Sequence, residues 1–230
     1  WAKTILFHDK LRKHQDELIK DVYSAVSEGK HLIAHAPVGM GKTDAAIGAA
    51  LTYALENDLT VFFLTPKISQ HKIAIEVVRG IAKKFDLKIR AVDMIGRRYA
   101  CIDPALKDLD HESFYQACEK KRKNEECVFY ANARGYNKLQ EAKANLLFSR
   151  LLNDYGTAKT HNELKEIGER NFACPYEWML KLAGSSDVII ADYFHVMIPR
   201  IRDIFLKKIN KRFDRSIVIV DEAHNLAKRV

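Results

Sequence analysis

Two short stretches carry residue types that could do phosphate chemistry. Ala36-Pro37-Val38-Gly39-Met40-Gly41-Lys42-Thr43 follows a short apolar run and precedes an alanine-rich helical pattern. A loop in that setting can turn its backbone N–H groups toward phosphate oxygens, helped by the helix N-terminus. Gly39 and Gly41 allow the tight turns and close approach this needs. Lys42 is expected to reach the β- and γ-phosphates, and Thr43 to hold Mg²⁺. Ala36 stands where the general pattern has its first glycine. Far downstream, Asp221 and Glu222 follow the apolar run Ile217–Val220 in VIVDEAHN. An acid pair at the carboxyl end of a strand sits where open parallel sheets bind ligands. Asp221 is expected to bind Mg²⁺ through water, Glu222 to orient or deprotonate an attacking water, and His224 to report nucleotide state. Gln15, three residues after Arg12, has an amide that could read both the donor and the acceptor of adenine.

The four cysteines form a second candidate site. Cys101, Cys118, Cys127 and Cys174 have the spacing C-x16-C-x8-C-x46-C. All fall between the two nucleotide motifs, which scattered core cysteines would not do. Four thiolates suit an iron–sulfur cluster or a structural zinc. The usual close C-x2–4-C zinc pairs are missing. On spacing alone, iron–sulfur and zinc stay level, with free or disulfide-bonded thiols a third possibility. A metal would supply folding energy to a charged segment with few strand signals.

These residues need elements to hold them. KLRKHQDELIKDVYSAVSEG reads as an amphipathic helix, with Leu11, Leu18, Val22 and Val26 on one side and Gly29 stopping it. HLIAHA reads as a strand, KTDAAIGAALTYALEN as a helix, TVFFLTP as a strand, ISQHKIAIEVVRGIAKKF as a helix and KIRAVDMIG as a strand. Such alternation points to a parallel α/β sheet. From Arg97 to Pro175 the apolar strand runs stop and charges crowd, as in EKKRKNEEC. KLQEAKANLLFSRLLNDY reads as a helix that includes Leu139, Leu146 and Leu151. Thr160 with Glu163 forms a capping-box pattern. Alternation returns with DVIIADY as a strand, HVMIPRIRDIFLKKI as a helix and SIVIVDEAH as a strand. The expected organisation is a sheet domain over 1–96 and 176–230, interrupted by a mostly helical insertion over 97–175.

Of the 230 residues, 47% are hydrophobic and 30% charged, with a formal net charge of +8. The basic surplus favours a polyanionic partner, although a soluble protein with a basic surface has the same composition. No apolar run reaches the roughly 18–20 residues of a membrane span, and WAKTILFHDKLRKHQ turns polar too soon for a secretory signal. The expectation is an intracellular monomer, cytoplasmic in a prokaryote or nuclear in a eukaryote.

Taken together, RKHQ, APVGMGKT, LTPKISQ, GRRYACI, the four cysteines, CPYEW with DVIIADY, and VIVDEAH resemble the N-terminal part of the XPD-type superfamily 2 DNA helicases. The compact archaeal members resemble the chain most. DinG-like helicases share much of the plan. The resemblance spans essentially the whole chain. It implies a RecA-like motor sheet, with ATP and Mg²⁺ bound at residues 37–43, Arg12, Gln15 and Asp221. It implies catalytic roles for Lys42, Asp221 and Glu222, and a [4Fe–4S] cluster on the four cysteines. It also implies 5′-to-3′ movement on single-stranded or forked DNA in repair or transcription, such as nucleotide excision repair. By position, Thr65 and Ser69 match a DNA-backbone segment, and Arg97 matches a basic residue beside the cluster. Met40 departs from the serine or threonine common in the loop. The chain ends just after its DEAH stretch, so the second motor domain with its ATP-site arginines, and the arch domain, are expected elsewhere.

Beyond the resemblance, aromatics next to cations can stack bases, which makes Arg134, Tyr136 and Tyr193 candidates for DNA contact, with Phe129, Tyr130 and Phe194 beside them. Packing of a small core uses the same residue types. Two other functions fit parts of the pattern: a non-enzymatic, metal-stabilised nucleic-acid-binding module, and a P-loop ATPase that has nothing to do with DNA.

Overall fold

The computed structural model describes residues 4–154 and 158–229. The expected alternation forms a five-stranded sheet. Its strands are β1 (Thr60–Leu64), β2 (Ala91–Asp93), β3 (Ala158–Lys159), β4 (Val188–Ala191) and β5 (Ser216–Val220). Their order is β3-β2-β4-β1-β5, and among the described residues every strand pairing is parallel. The helices are α1 (Gln15–Ser27), α2 (Lys42–Asn57), α3 (Ile68–Lys84), α4 (Arg97–Ala100), α5 (His111–Lys123), α6 (Val128–Ala133), α7 (Lys138–Asp154), α8 (His161–Asn171), α9 (Pro175–Ser185), α10 (Phe194–Met197), α11 (Pro199–Ile209) and α12 (Leu226–Arg229). Among the described residues, no helix is long and apolar enough to cross a membrane.

Strand periodicity assigns the two faces. Val61 and Phe63 point one way, Phe62 and Leu64 the other, and all four are buried. On the first face they meet Ile47, Leu51, Ile75, Val78 and Ile81 of α2 and α3. On the second they meet Met179, Leu182, Phe205 and Ile209 of α9 and α11. Each large apolar side chain so buried contributes about 1.5–3 kcal/mol, so these two layers hold the domain. The segment between β2 and α9 has much smaller clusters: Leu106, Phe114 and Cys118 in one, and Ala133, Leu151, Ile167, Ala173 and Trp178 in the other.

Several expectations are corrected. HLIAHA is not a strand: residues 31–36 are irregular, and Ile33 is 99% exposed. No strand flanks it among the described residues, and an unpaired strand leaves its peptide groups without partners. The helix expected over HVMIPRIRDIFLKKI breaks into α10 and α11 at Ile198, because Pro199 forces the residue before it out of helical geometry. The third strand shortens to three residues. Leu11 precedes α1 and is exposed, as are Leu139 and Leu146 on α7. Tyr155, the end of the helix expected over 138–155, lies outside the described residues. Inside the segment read as an insertion, β3 joins the sheet edge beside β2. The Thr160–Glu163 capping box forms and starts α8.

A buried ion cluster ties the sheet to that segment. Asp93, at the end of β2, has no exposed surface. One of its oxygens accepts from His71 Nδ1 of α3, and the other accepts from His161 Nδ1, each at 2.5 Å. The His161 backbone N–H donates to it as well, at 3.0 Å. Burial pushes the Asp93 carboxyl up, but the hydrogen bonds from His161 and His71 outweigh it and leave the pKa below the usual value. A depressed carboxylate stabilises the fold above its unfolded pKa of about 3.9, and that contribution is lost as pH falls through the folded value. Asp93→Asn should therefore cost about 2–4 kcal/mol at neutral pH, because it leaves buried groups badly matched. Chemical unfolding at stepped pH checks this: the gap between wild type and variant should close below about pH 4.

Candidate nucleotide site and cysteine cavity

Residues 37–40 form a turn that opens directly into α2. Gly39 (φ 88°) and Gly41 (φ 81°) both lie in the left-handed region, which explains the glycines. Gly41 also lacks room for a side chain, since a Cβ would stand 2.6 Å from Gln15 Nε2. Pro37 and Val38 are exposed. Met40 is half-buried against the cluster of Leu18, Ile19, Ala45 and Ala49. Thr43 is half-buried in the first turn of α2. Lys42 Nζ donates to the Ala36 carbonyl at 3.1 Å and lies 3.7 Å from Glu222 Oε1. Almost the whole chain separates the two residues, and the sheet brings them together.

The acid pair follows β5 at the carboxyl end of the sheet. The Asp221 N–H donates to the Leu64 carbonyl at 2.8 Å and so extends the β1–β5 ladder. Burial, and then the Glu222 charge, push the Asp221 carboxyl up, with Lys42 pulling the other way. A cation seated beside it would pull the carboxyl back down. His224 is exposed, with its Nδ1 3.5 Å from Glu222.

Arg12 and Gln15 brace the loop. Arg12 Nη1 donates to the Gly39 carbonyl at 2.5 Å. Gln15 Oε1 accepts from the Arg12 N–H at 2.9 Å, and Gln15 Nε2 donates to the Gly41 carbonyl at 3.2 Å. Gln15 is buried, with both of its amide atoms engaged under the loop.

Cys101, Cys118, Cys127 and Cys174 line one cavity, together with Arg97 and Arg122. Cys101 follows α4, Cys118 lies on α5, and Cys127 and Cys174 stand at the starts of α6 and α9. All four are free thiols. The Cys174 N–H donates to the Phe129 carbonyl at 2.8 Å, which ties two of these starts together. Burial pushes the Cys101 thiol up to about 11 and Cys174 up to about 12. Cys118 is also raised by burial, against the pull of Arg97 and Arg122. Among the described residues, no group of three or more His, Cys, Asp or Glu side chains is placed to hold a metal ion.

The expected DNA contacts separate. Ser69 is exposed in the first turn of α3. Thr65 is buried and donates to Gln70. Tyr193 is fully buried, so no base can stack on it; it is corrected to a core residue. Arg97 lies over the Tyr176 ring at 4.8 Å. Arg134 pairs with buried Glu177 at 3.2 Å. The Tyr136 ring stands 5.1 Å from Tyr130, and its hydroxyl lies 3.2 Å from both the N–H and the carbonyl of Cys127. Arg97, Arg134 and Tyr136 make their contacts within the cysteine region, while Phe194 is exposed.

Sequence reasoning missed Arg122 and Glu177. Both were findable: Arg122 falls four residues after Cys118 on α5, and Glu177 three after Cys174 on α9, the spacings that share a helix face. Asp93 carried no such signal.

Comparison with known proteins agrees with this arrangement. The DEAD_2 family model matches residues 65–230, and the DEAD/DEAH box helicase model matches residues 12–109. The chain is 23% identical over 248 residues to the General transcription and DNA repair factor IIH helicase subunit XPD of Arabidopsis thaliana, covering 97% of this chain and 30% of that protein. It is 26% identical over 141 residues to the ATP-dependent DNA helicase CHL1 of Kluyveromyces lactis, covering 60% of this chain and 16% of that protein. The chain thus spans less than a third of the length of these curated relatives. Among solved structures, one titled XPD_Helicase superposes with a TM-score of 0.63 at 21% identity, over 96% of this chain and 34% of its own. Another, titled Truncated XPD, gives 0.52 at 19% identity, over 94% and 53%. Those two likenesses show a shared fold. With more than two thirds of its length inside one family model, the chain belongs to the DEAD_2 family.

Proposed function

We propose that this chain is the ATP-holding part of the motor of an XPD-type DNA helicase. The observation that carries the reading is the approach of Lys42 to Glu222, 3.7 Å apart at the carboxyl end of a parallel sheet. In this reading the backbone N–H groups of residues 37–43 cradle the phosphates, and Lys42 turns from the Ala36 carbonyl to the γ-phosphate. Thr43 and Asp221 hold Mg²⁺, and Glu222 orients the water. Arginines from a second motor domain complete the charge balance, and hydrolysis drives movement along single-stranded DNA. Ser69, exposed in the first turn of α3, is the contact point with the DNA backbone that its position supports best. The segment 97–175 acts as an insertion in the sheet domain over 1–96 and 176–230, anchored to it through β3 and the Asp93–His161 contact.

The four cysteines are read as the ligands of a [4Fe–4S] cluster because all of them line one cavity. Cys101, Cys118, Cys127 and Cys174 would supply the thiolates, with Arg97 and Arg122 offsetting the negative charge. A bound cluster would hold together a segment whose own apolar clusters are small.

Lys42→Ala tests the motor against a non-enzymatic binding module. A motor should lose nucleotide affinity by about tenfold or more, a charge-assisted contact with phosphate being removed, and keep its DNA affinity. Titration with a fluorescent ATP analogue and with labelled single-stranded DNA reads both. Unchanged nucleotide affinity would favour the binding module. For the metal, iron, sulfide and zinc are assayed on protein purified without oxygen, beside Cys118→Ser. About four irons per chain with matching sulfide is expected, lost in the variant. Zinc without sulfide would make the segment a structural zinc module.

A further inference from the structure

Tyr193 lies just past β4, after Asp192, and has no exposed surface. Its hydroxyl donates to two backbone carbonyls, Asp221 at 2.5 Å and Glu222 at 2.9 Å. A phenol carries one hydrogen, so the two carbonyls share it. Glu222 has φ 51°, in the left-handed region that residues other than glycine rarely adopt. Such a conformation persists where the surroundings over-determine it. Here the surroundings are the Tyr193 hydroxyl and Asn225, whose backbone N–H and Nδ2 donate to the Glu222 carbonyl at 2.9 and 3.2 Å. The turn that carries Tyr193 is fixed in its own right: Asp192 Oδ1 accepts from the Phe194 N–H at 3.1 Å, and Asp192 Oδ2 lies 3.7 Å from Arg229 Nη1.

We propose that Tyr193 is a positioning residue of the nucleotide site: its hydroxyl sets the backbone of Asp221 and Glu222 so that both carboxylates face Mg²⁺ and water beside the loop at 36–43. The inference rests on the nucleotide-site reading above. Lys42 meets the Glu222 side chain from the loop side, and Tyr193 holds its main chain from the β4 side. Burial, with Asp221 and Glu222 nearby, pushes the phenol up to about 12, so it stays a donor at neutral pH. The expected role of Tyr193 as a DNA-stacking ring is replaced by one inside the site.

Tyr193→Phe keeps the ring and its packing and removes only the donor. The measurement is the affinity of the intact protein for a fluorescent ADP analogue, with and without Mg²⁺, alongside thermal unfolding. The variant should unfold near the wild-type temperature and match its affinity without Mg²⁺. The gain in affinity that Mg²⁺ confers should fall by about five- to tenfold, the worth of one buried hydrogen bond. Asn225→Ala, which removes another hold on the same carbonyl, should reduce the gain in the same direction. A full Mg²⁺ gain in Tyr193→Phe overturns the inference and leaves the nucleotide site standing. An equal loss with and without Mg²⁺ also overturns it, because the hydroxyl would then serve the fold alone. Wild-type protein that gains nothing from Mg²⁺ overturns this inference and the reading it rests on together.

Discussion

The ladder between β1 and β5 runs in register from Thr60–Ser216 to Leu64–Val220, and the Asp221 N–H carries it one step further onto the Leu64 carbonyl. That pairing places the acids beside the strand whose neighbours carry everything else. β4 lies on the other side of β1 and delivers Tyr193 beneath the same acids. α2 packs on the face formed by Val61 and Phe63, and its first turn holds Lys42 and Thr43. A residue near the start and one near the end of the chain become neighbours because parallel strands put their carboxyl ends on one edge. Without the ladder, the loop and the acid pair would be two unrelated turns.

The loop is fixed from a second direction. Gln15 fills the space that a side chain on residue 41 would need, and Arg12 grips the Gly39 carbonyl. These contacts come from α1 and the residues just before it, which pack on α2 through Leu18 and Ile19. The loop therefore rests on helix packing more than on a strand beneath it, since residues 31–36 make no ladder here. This explains how a strongly turned glycine loop holds its shape while Val38 at its tip stays exposed.

The cysteine segment depends on the sheet in a different way. Asp93 closes β2 and accepts from both His71 and His161, which binds the exit to the segment, the return from it and the start of α3 at one buried point. Around the cavity, Arg97 and Arg122 lie over Tyr176 and Tyr130, Lys121 pairs with Asp103, and Glu177 pairs with Arg134.

Much of this was legible in the residues themselves. The glycines at 39 and 41, the lysine after them and the acid pair after an apolar run define local chemistry that needs no distant partner to be read. Helix α2 begins and ends where its composition says, and Thr160 with Glu163 caps α8 as their spacing requires. The clustering of all four cysteines between the motifs was also plain, and the tertiary structure brought them to one cavity. Other features were decided only in three dimensions. Whether HLIAHA becomes a strand depends on a neighbour to pair with, and pairing is not local. Where the Gln15 amide finds its partners depends on where Gly41 lands. Tyr193 looked like an exposed aromatic after a strand, but the β4–β1–β5 order buries it under the acids. Asp93 gave no local sign because both its partners come from other elements, one 22 and the other 68 residues away. Residue type and short-range spacing set the chemistry each segment can offer, and the order of the strands chose which of those groups met.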